Sequence, residues 1–239
     1  MLDYSGRKSV KASTSRKITV KHRISFLKEE GINMIRLLYG TSNSAKIQHM
    51  KEMLDKLNIE IIGLNDIGNA VKIQVRETGN DPLENARIKA MTYFKEFKVP
   101  VFSCDSGLYI EGLERKKQPG VHVRRVNGKE LNDNEMIKYY TNLAAELGGV
   151  VKAKYKNAIC LIIDEETIFE YDGEDISSEE FIITSKPHNK KTKGFPLDSI
   201  SIEIETGQYY MDIHEKNNPN KEYKMAKGFR DFFLRTALK

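Results

Sequence analysis

Ile35-Arg36-Leu37-Leu38-Tyr39-Gly40-Thr41-Ser42-Asn43-Ser44-Ala45-Lys46 runs from an apolar stretch through small polar residues to a lysine. Residues 35–39 read as a short buried strand, 40–44 as a turn, and about 45–57 as a helix. Ile47, Met50, Leu54 and Leu57 fall on one face of that helix. A strand that turns directly into a helix leaves unpaired N–H groups at the helix start. With Lys46 nearby, they form a ready site for an anion. The turn is not a Walker loop, because it lacks the second glycine before the lysine. Taken alone, Ser, Thr and Asn in such a turn are more often plain helix caps.

Working outward, the pattern predicts strands at 59–64 and 71–75, then a helix with a well-marked start. Asp81 can cap it, Pro82 suits its first position, and Glu84 completes a capping box. Ala86, Ala90, Tyr93 and Phe97 form its apolar stripe. Residues 99–103 read as a strand ending at Cys104-Asp105-Ser106-Gly107. A further helix starts near Asn132, with Glu135 three residues on. Its stripe is Met136, Tyr140, Leu143 and Leu147, and Gly148-Gly149 closes it.

The remainder is richer in strands. Residues 152–163 and 167–171 suggest a hairpin, and 181–184 a further strand. Ile200, Ile202 and Ile204 alternate with polar residues as in a half-buried strand. The closing helix, about 225–238, turns Met225, Phe229, Phe232 and Thr236 inward. Strands and helices mix without strict alternation, which predicts an α/β fold with a mixed sheet and flanking helices.

Composition bounds the function classes. The chain has 239 residues, 39% of them apolar and 31% charged, as in an ordinary globular protein. No apolar run is long enough to span a bilayer, and the N-terminus has no signal-peptide pattern. Cys104 and Cys160, at unrelated spacing, suggest neither a disulfide framework nor a zinc site, so a reducing cytoplasm is expected. The net charge of +5 is confined to residues 1–33, which hold eight Lys/Arg against three Asp/Glu. The remaining residues carry 31 basic and 31 acidic side chains. Residues 1–33 are therefore expected to be a basic, disordered extension, with one domain over 34–239. Nucleic-acid binding would have to work through that extension.

Three stretches can carry chemistry. The turn at 40–46 is the first. The second is Glu77-Thr78-Gly79 before the capped helix, on which Asn85 and Lys89 share a face. On their own, a lone acid there is usually solvated and long polar chains beside an apolar stripe usually snorkel. The third is Asp105-Ser106-Gly107, whose carboxylate can hold magnesium, activate water, or simply cap a turn.

The order and spacing of these stretches add what each lacks alone. Thr41 to Lys46, Glu77-Thr78-Gly79, Glu84-Asn85-Ala86 with Lys89, Asp105-Ser106-Gly107-Leu108, and Pro119-Gly120-Val121 with Arg125 resemble the inosine-triphosphate pyrophosphatase family. Gly194-Phe195-Pro196-Leu197-Asp198 is similar to that family's Gly-Phe-Gly-aromatic-Asp loop. Lys224 and Arg230 stand six apart, as in its Lys…Ser-His-Arg segment. The resemblance runs from about residue 35 to the C-terminus, strong in the first half and thin in the second.

The resemblance implies an elongated mixed sheet in two lobes with a nucleotide cleft between them, and a homodimer. It implies magnesium-dependent hydrolysis of nucleoside triphosphates such as inosine or xanthosine triphosphate to a monophosphate and pyrophosphate. Thr41, Asn43 and Lys46 would cradle the triphosphate. Glu77 and Asp105 would hold magnesium, with Asp105 also deprotonating the attacking water. Lys89, Arg125 and Lys224 would offset phosphate charge, and Ser106 would contact the nucleotide. Phe195 would stack on the base, and Asp198 with Arg230 would fix its polar edges or the sugar.

Three departures qualify this. Cys104 stands where the family places another acid, Pro196 and Leu197 replace a glycine and an aromatic, and Gly228-Phe229 replace Ser-His. That histidine helps read the purine oxygen in the family. The phosphate half of the site is therefore expected to be retained and the base-reading half altered. The alternative is a nucleotide-binding protein of the same fold with weak or no catalysis.

Overall fold

The computed structural model describes residues 27–29, 32–67, 73–216 and 224–239. Chain order is β1 (Leu27–Glu29), β2 (Ile32–Tyr39), α1 (Ser44–Met53), β3 (Ile59–Gly63), α2 (Pro82–Phe97) and β4 (Val101–Ile110). There follow β5 (Arg125–Val126), β6 (Lys129–Glu130), α3 (Asp133–Glu146), β7 (Val150–Ile162) and β8 (Ile168–Tyr171). Last come β9 (Phe181–Thr184), β10 (Ser201–Glu203), α4 (Tyr210–Lys216) and α5 (Lys224–Thr236).

β4 and β7 are the spine. They pair antiparallel without a break from Val101↔Ile162 to Ile110↔Ala153. At the Val101 end, β2 lies parallel to β4, β3 lies parallel to β2, and β8 pairs with the last residues of β7. At the Ile110 end, β9 takes the first residues of β7 and β10 pairs with β9. Each end of the spine thus carries its own strands, which produces an elongated mixed sheet with two lobes.

The alternation of side chains across a strand separates the cores. Leu37, Tyr39, Phe102, Ile159 and Leu161 face α1 and α5, with Phe229, Phe232 and Phe233. Leu38, Val101, Cys160 and Ile162 face α2, with Ala86, Ala90, Tyr93 and Phe94. In the second lobe, Leu108, Ile110 and Phe181 meet Met136, Ile137 and Tyr140 of α3.

The local signals hold where they are local. Asp81 caps α2 by accepting from the Glu84 N–H at 2.9 Å, although Glu84 reaches back to the Asn80 N–H and not to that of Asp81. Asn132 and Glu135 form the full capping box of α3, and Gly148 and Gly149 follow that helix with positive φ.

Other expectations shift. α1 stops at Met53 with Leu54 as its C-cap, three residues before Leu57. The strand expected at 71–75 is absent over 73–75, which is irregular; Val71 and Lys72 lie outside the described residues. Ile200 ends a 3-10 turn, and only Ser201–Glu203 pairs as a strand. Strand pairing reaches back to Leu27, ahead of the boundary expected at Met34. Residues 1–26 lie outside the described residues.

The largest difference concerns β4. It does not end at Cys104 but continues to Ile110, because β7 supplies a partner for every residue. Asp105 is therefore in mid-strand, paired with Ala158. It still lies beyond a strand end, but the end is that of β2, whose pairing with β4 stops at Tyr39↔Phe102.

Candidate active site

Gly40 turns the chain off the end of β2, its N–H donating to the Phe102 carbonyl at 2.8 Å. A side chain here would lie 2.2 Å from Ser103 Oγ and 2.6 Å from the Tyr93 ring, so only glycine lets the turn sit this close to β4. Ser103 Oγ is buried with no hydrogen-bond partner. Asn43 then caps α1, its Oδ1 accepting from Ala45 N–H at 2.9 Å and Lys46 N–H at 3.3 Å. Thr41 Oγ1 accepts from the Asn43 N–H. Two of the N–H groups expected to meet an anion are thus held by Asn43.

Alternation along β4 decides what faces what. Asp105 lies on the same face as Val101 and Ser103, toward α2. Cys104 and Ser106 lie on the opposite face, toward α1. α2 answers with Asn85 and Lys89, one turn apart. Lys89 Nζ donates to Asp105 Oδ1 at 2.6 Å and stands 3.7 Å from Glu77 Oε2. Asn85 Nδ2 donates to Asp105 Oδ2 at 3.1 Å, and Asn85 Oδ1 accepts from the Gly79 N–H at 2.9 Å. Glu77, Lys89 and Asp105 are therefore one cluster, with both carboxylates reaching a single ammonium. Asp105 is 8% exposed, so its charge is held by these partners and not by bulk water.

Lys46, on α1, is within electrostatic range of the cluster. Burial, and then the positive charge of Lys89, lower the pKa of its amine, while Asp105, Cys104 and Glu77 act to raise it. Cys104 shares a hydrogen bond with Tyr39, and burial pushes its thiol up to about 12. It packs against the α1–α5 core. The acid missing at 104 is thus missing from the face opposite Asp105, the side from which Lys46 approaches.

The second lobe closes on the turn. Asn43 Nδ2 donates to the Gly194 carbonyl at 3.4 Å, and the Phe195 ring stands edge-on to His49 with centroids 6.1 Å apart. Gly194 has φ +91 and comes so close that a side chain would meet Asn43 and Ala45 at 3.0–3.3 Å. Thr41, Asn43 and Phe195 are therefore brought together where the lobes meet. Ser106 is half-buried on the α1 side of β4, and Asp198 is half-buried in the turn after Phe195.

Three expected residues are not part of the cluster. Arg125 is exposed on the β5–β6 hairpin, while its neighbour Arg124 donates to Leu131 O and Asp133. Lys224 is exposed at the start of α5, within electrostatic range of Glu174. Arg230 donates to the Met53 carbonyl at 2.9 Å, at the far end of α1 from the turn. There it completes a helix end. Phe229 is 3% exposed in the core and cannot face a ligand. Gly228 lies so tight against residues 175–176 that a Cβ would come within 2.3 Å of Asp175 O.

Asn85 is the residue that sequence reasoning passed over. Its i,i+4 relation to Lys89 was the available signal, but it fitted a snorkelling side chain equally well. Only the buried contact to Asp105 distinguishes the two.

No cluster of three or more His, Cys, Asp or Glu poised for a metal occurs among the described residues. Two carboxylates already sharing one cation nonetheless suit magnesium. That ion is usually held by one or two carboxylates plus substrate phosphates, not by a cage of protein ligands.

Comparison with known proteins places the chain in a family. The family model described as the Ham1 family matches residues 37–231. A dITP/XTP pyrophosphatase of Bacillus licheniformis is 33% identical over 190 residues, covering 77% of this chain and 90% of that protein. One from Flavobacterium psychrophilum is 30% identical over 203 residues, covering 83% and 99%. In fold, the chain is similar to a HAM1 protein from Coxiella burnetii (TM-score 0.64, 24% identity, 85% of this chain and 100% of that one). It is also similar to the Staphylococcus aureus Ham1 protein (TM-score 0.61, 20% identity, 85% and 100%). The chain belongs to the Ham1 family.

Proposed function

We propose that this protein hydrolyses nucleoside triphosphates to the monophosphate and pyrophosphate, with magnesium as cofactor and deaminated purine nucleotides among its substrates. The observation that carries the reading is the convergence of Asp105, Glu77 and Lys89 on one point, with Lys46 within electrostatic range. The names of the relatives, dITP/XTP pyrophosphatases, support the reaction class.

In this reading Lys46 and the hydroxyls of Thr41 and its neighbours hold the triphosphate. Asp105 and Glu77 would hold magnesium, which would supply charge neutralisation for the leaving pyrophosphate. Asp105 accepts the proton of the water that attacks the α-phosphorus. Asn85 keeps that carboxylate oriented through its amide. Lys89 then releases Asp105 and turns its ammonium to the phosphates. Phe195 offers a face to the base, and Asp198 a polar group to its edge or to the sugar. The reading includes the homodimer that the resemblance implies and the cytoplasmic location expected from the two cysteines at unrelated spacing. No helix among the described residues is long and apolar enough to cross a membrane.

A panel of standard and deaminated nucleoside triphosphates, assayed with magnesium for pyrophosphate and for orthophosphate, tests the proposal. Pyrophosphate from inosine or xanthosine triphosphate is expected. Thermal stabilisation by those nucleotides with no turnover would favour the binding protein instead.

A further inference from the structure

The segment between β9 and Phe195 carries Lys186, Lys190, Lys191 and Lys193, and residues 185–197 contain no Asp or Glu. Residues 34–239 as a whole carry 31 basic and 31 acidic side chains, so four cations in eight residues with no acid among them make a local positive field. All four lysines are exposed. The segment is fixed at several points. Lys191 Nζ donates to Asn134 of α3 at 2.7 Å, the Lys190 N–H donates to His188 Nδ1, and His188 stands 3.4 Å from Asp212 of α4. Thr192 pairs with Phe195, and Gly194 is pressed against the α1 cap. Lys193 is thus next in sequence to the residue that touches Asn43. Lys193 therefore lies beside the place where the triphosphate is proposed to bind, and the other three lysines precede it on the same segment.

We infer that residues 186–193 form a cationic lip that draws polyphosphate-bearing ligands into the inter-lobe site by long-range attraction. This rests on the proposed triphosphate site. Its signature is dependence on ionic strength, because exposed charges act over about 30 Å at 0.01 M salt and only about 3 Å at 1 M. A lysine in fixed contact with phosphate would keep most of its effect as salt rises.

The test is the affinity of the full chain for inorganic tripolyphosphate with magnesium, by calorimetry at low and at high salt. The parent is compared with K190Q/K193Q and with the charge-reversed K190E/K193E. At low salt the first variant should bind about 10-fold more weakly and the second more weakly still, in line with the usual scale of electrostatic steering. The differences should close at high salt. Equal affinities at low salt, a gap that persists undiminished at high salt, or no binding of tripolyphosphate to the parent would each overturn the lip. So would a variant that loses only the retention of single-stranded oligonucleotides, which would mark a nucleic-acid surface instead. Tripolyphosphate binding that shows the salt signature without any nucleotide turnover would sink the enzymatic reading while sustaining the lip.

Discussion

At the β4–α2 face, Asp105, Asn85 and Lys89 hold one another through hydrogen bonds of 2.6 and 3.1 Å between strand and helix, with Glu77, from the irregular segment before α2, 3.7 Å from Lys89. At α5, the positions matched to the family's base-reading segment are occupied by a core phenylalanine, a glycine crowded by backbone, and an arginine spent on a helix end. The first region retains polar groups that cost stability unless something needs them, whereas the second has been converted to packing. The difference teaches that the two halves of the site are separable. In the proposed reading, phosphate chemistry belongs to the sheet and α2, and the base is read from elsewhere, with Phe195 and its loop the nearest candidates.

The largest effect separating the regions is expected at Asp105. Asp105→Asn should lower kcat by about 10²–10³, the usual loss of one preorganised charged contact, while circular dichroism and the melting transition show a folded protein. Undiminished turnover would place the chemistry elsewhere.

Lys46 sharpens the comparison through pH. Burial and Lys89 lower the pKa of its amine, so it loses its proton at a lower pH than an ordinary lysine would. Triphosphate affinity should therefore weaken on the alkaline side earlier than for an exposed lysine. In Lys46→Arg, whose side chain stays charged, that alkaline loss should vanish from kcat/KM. An unchanged alkaline limb in that variant would remove Lys46 from the phosphate site.

The α5 region should respond in stability and not in chemistry. Phe229→His restores the family residue but buries an imidazole in the α1–α5 core. It should cost about 2–4 kcal/mol in chemical denaturation without increasing the preference for inosine over adenosine triphosphate. A gain in preference would show that α5 does reach the base. Smaller again, Arg230→Ala removes the hydrogen bond to Met53 O and should cost about 1 kcal/mol, with kcat/KM unaltered. A large fall in kcat/KM at constant stability would restore Arg230 to the nucleotide.

What was legible in the sequence follows the same division. The Asn43 cap, the Asp81-Pro82 helix start and the Asn132–Glu135 box are local, and each appears in its place. The continuation of β4 through Asp105 was not legible, because it depends on β7, some fifty residues later in the chain. Glu77, Lys89 and Asp105 could be named from the order of their motifs, and the structure groups them. Asn85 was seen and passed over, since burial is not a local property. The inward face of Phe229 was legible in the apolar stripe of α5, but the family spacing of Lys224 and Arg230 does not report that Arg230 reaches the Met53 carbonyl.

The account stands or falls on the point shared by Asp105 and Glu77. The most direct measurement is a crystal structure of the chain with magnesium and an α,β-imido analogue of inosine triphosphate. It should show the cation at ~2.1 Å from oxygens of both carboxylates, the triphosphate against Thr41 to Lys46, and Lys89 turned toward the phosphates. A triphosphate bound away from that turn, or a cation with no ligand from Asp105, would contradict it.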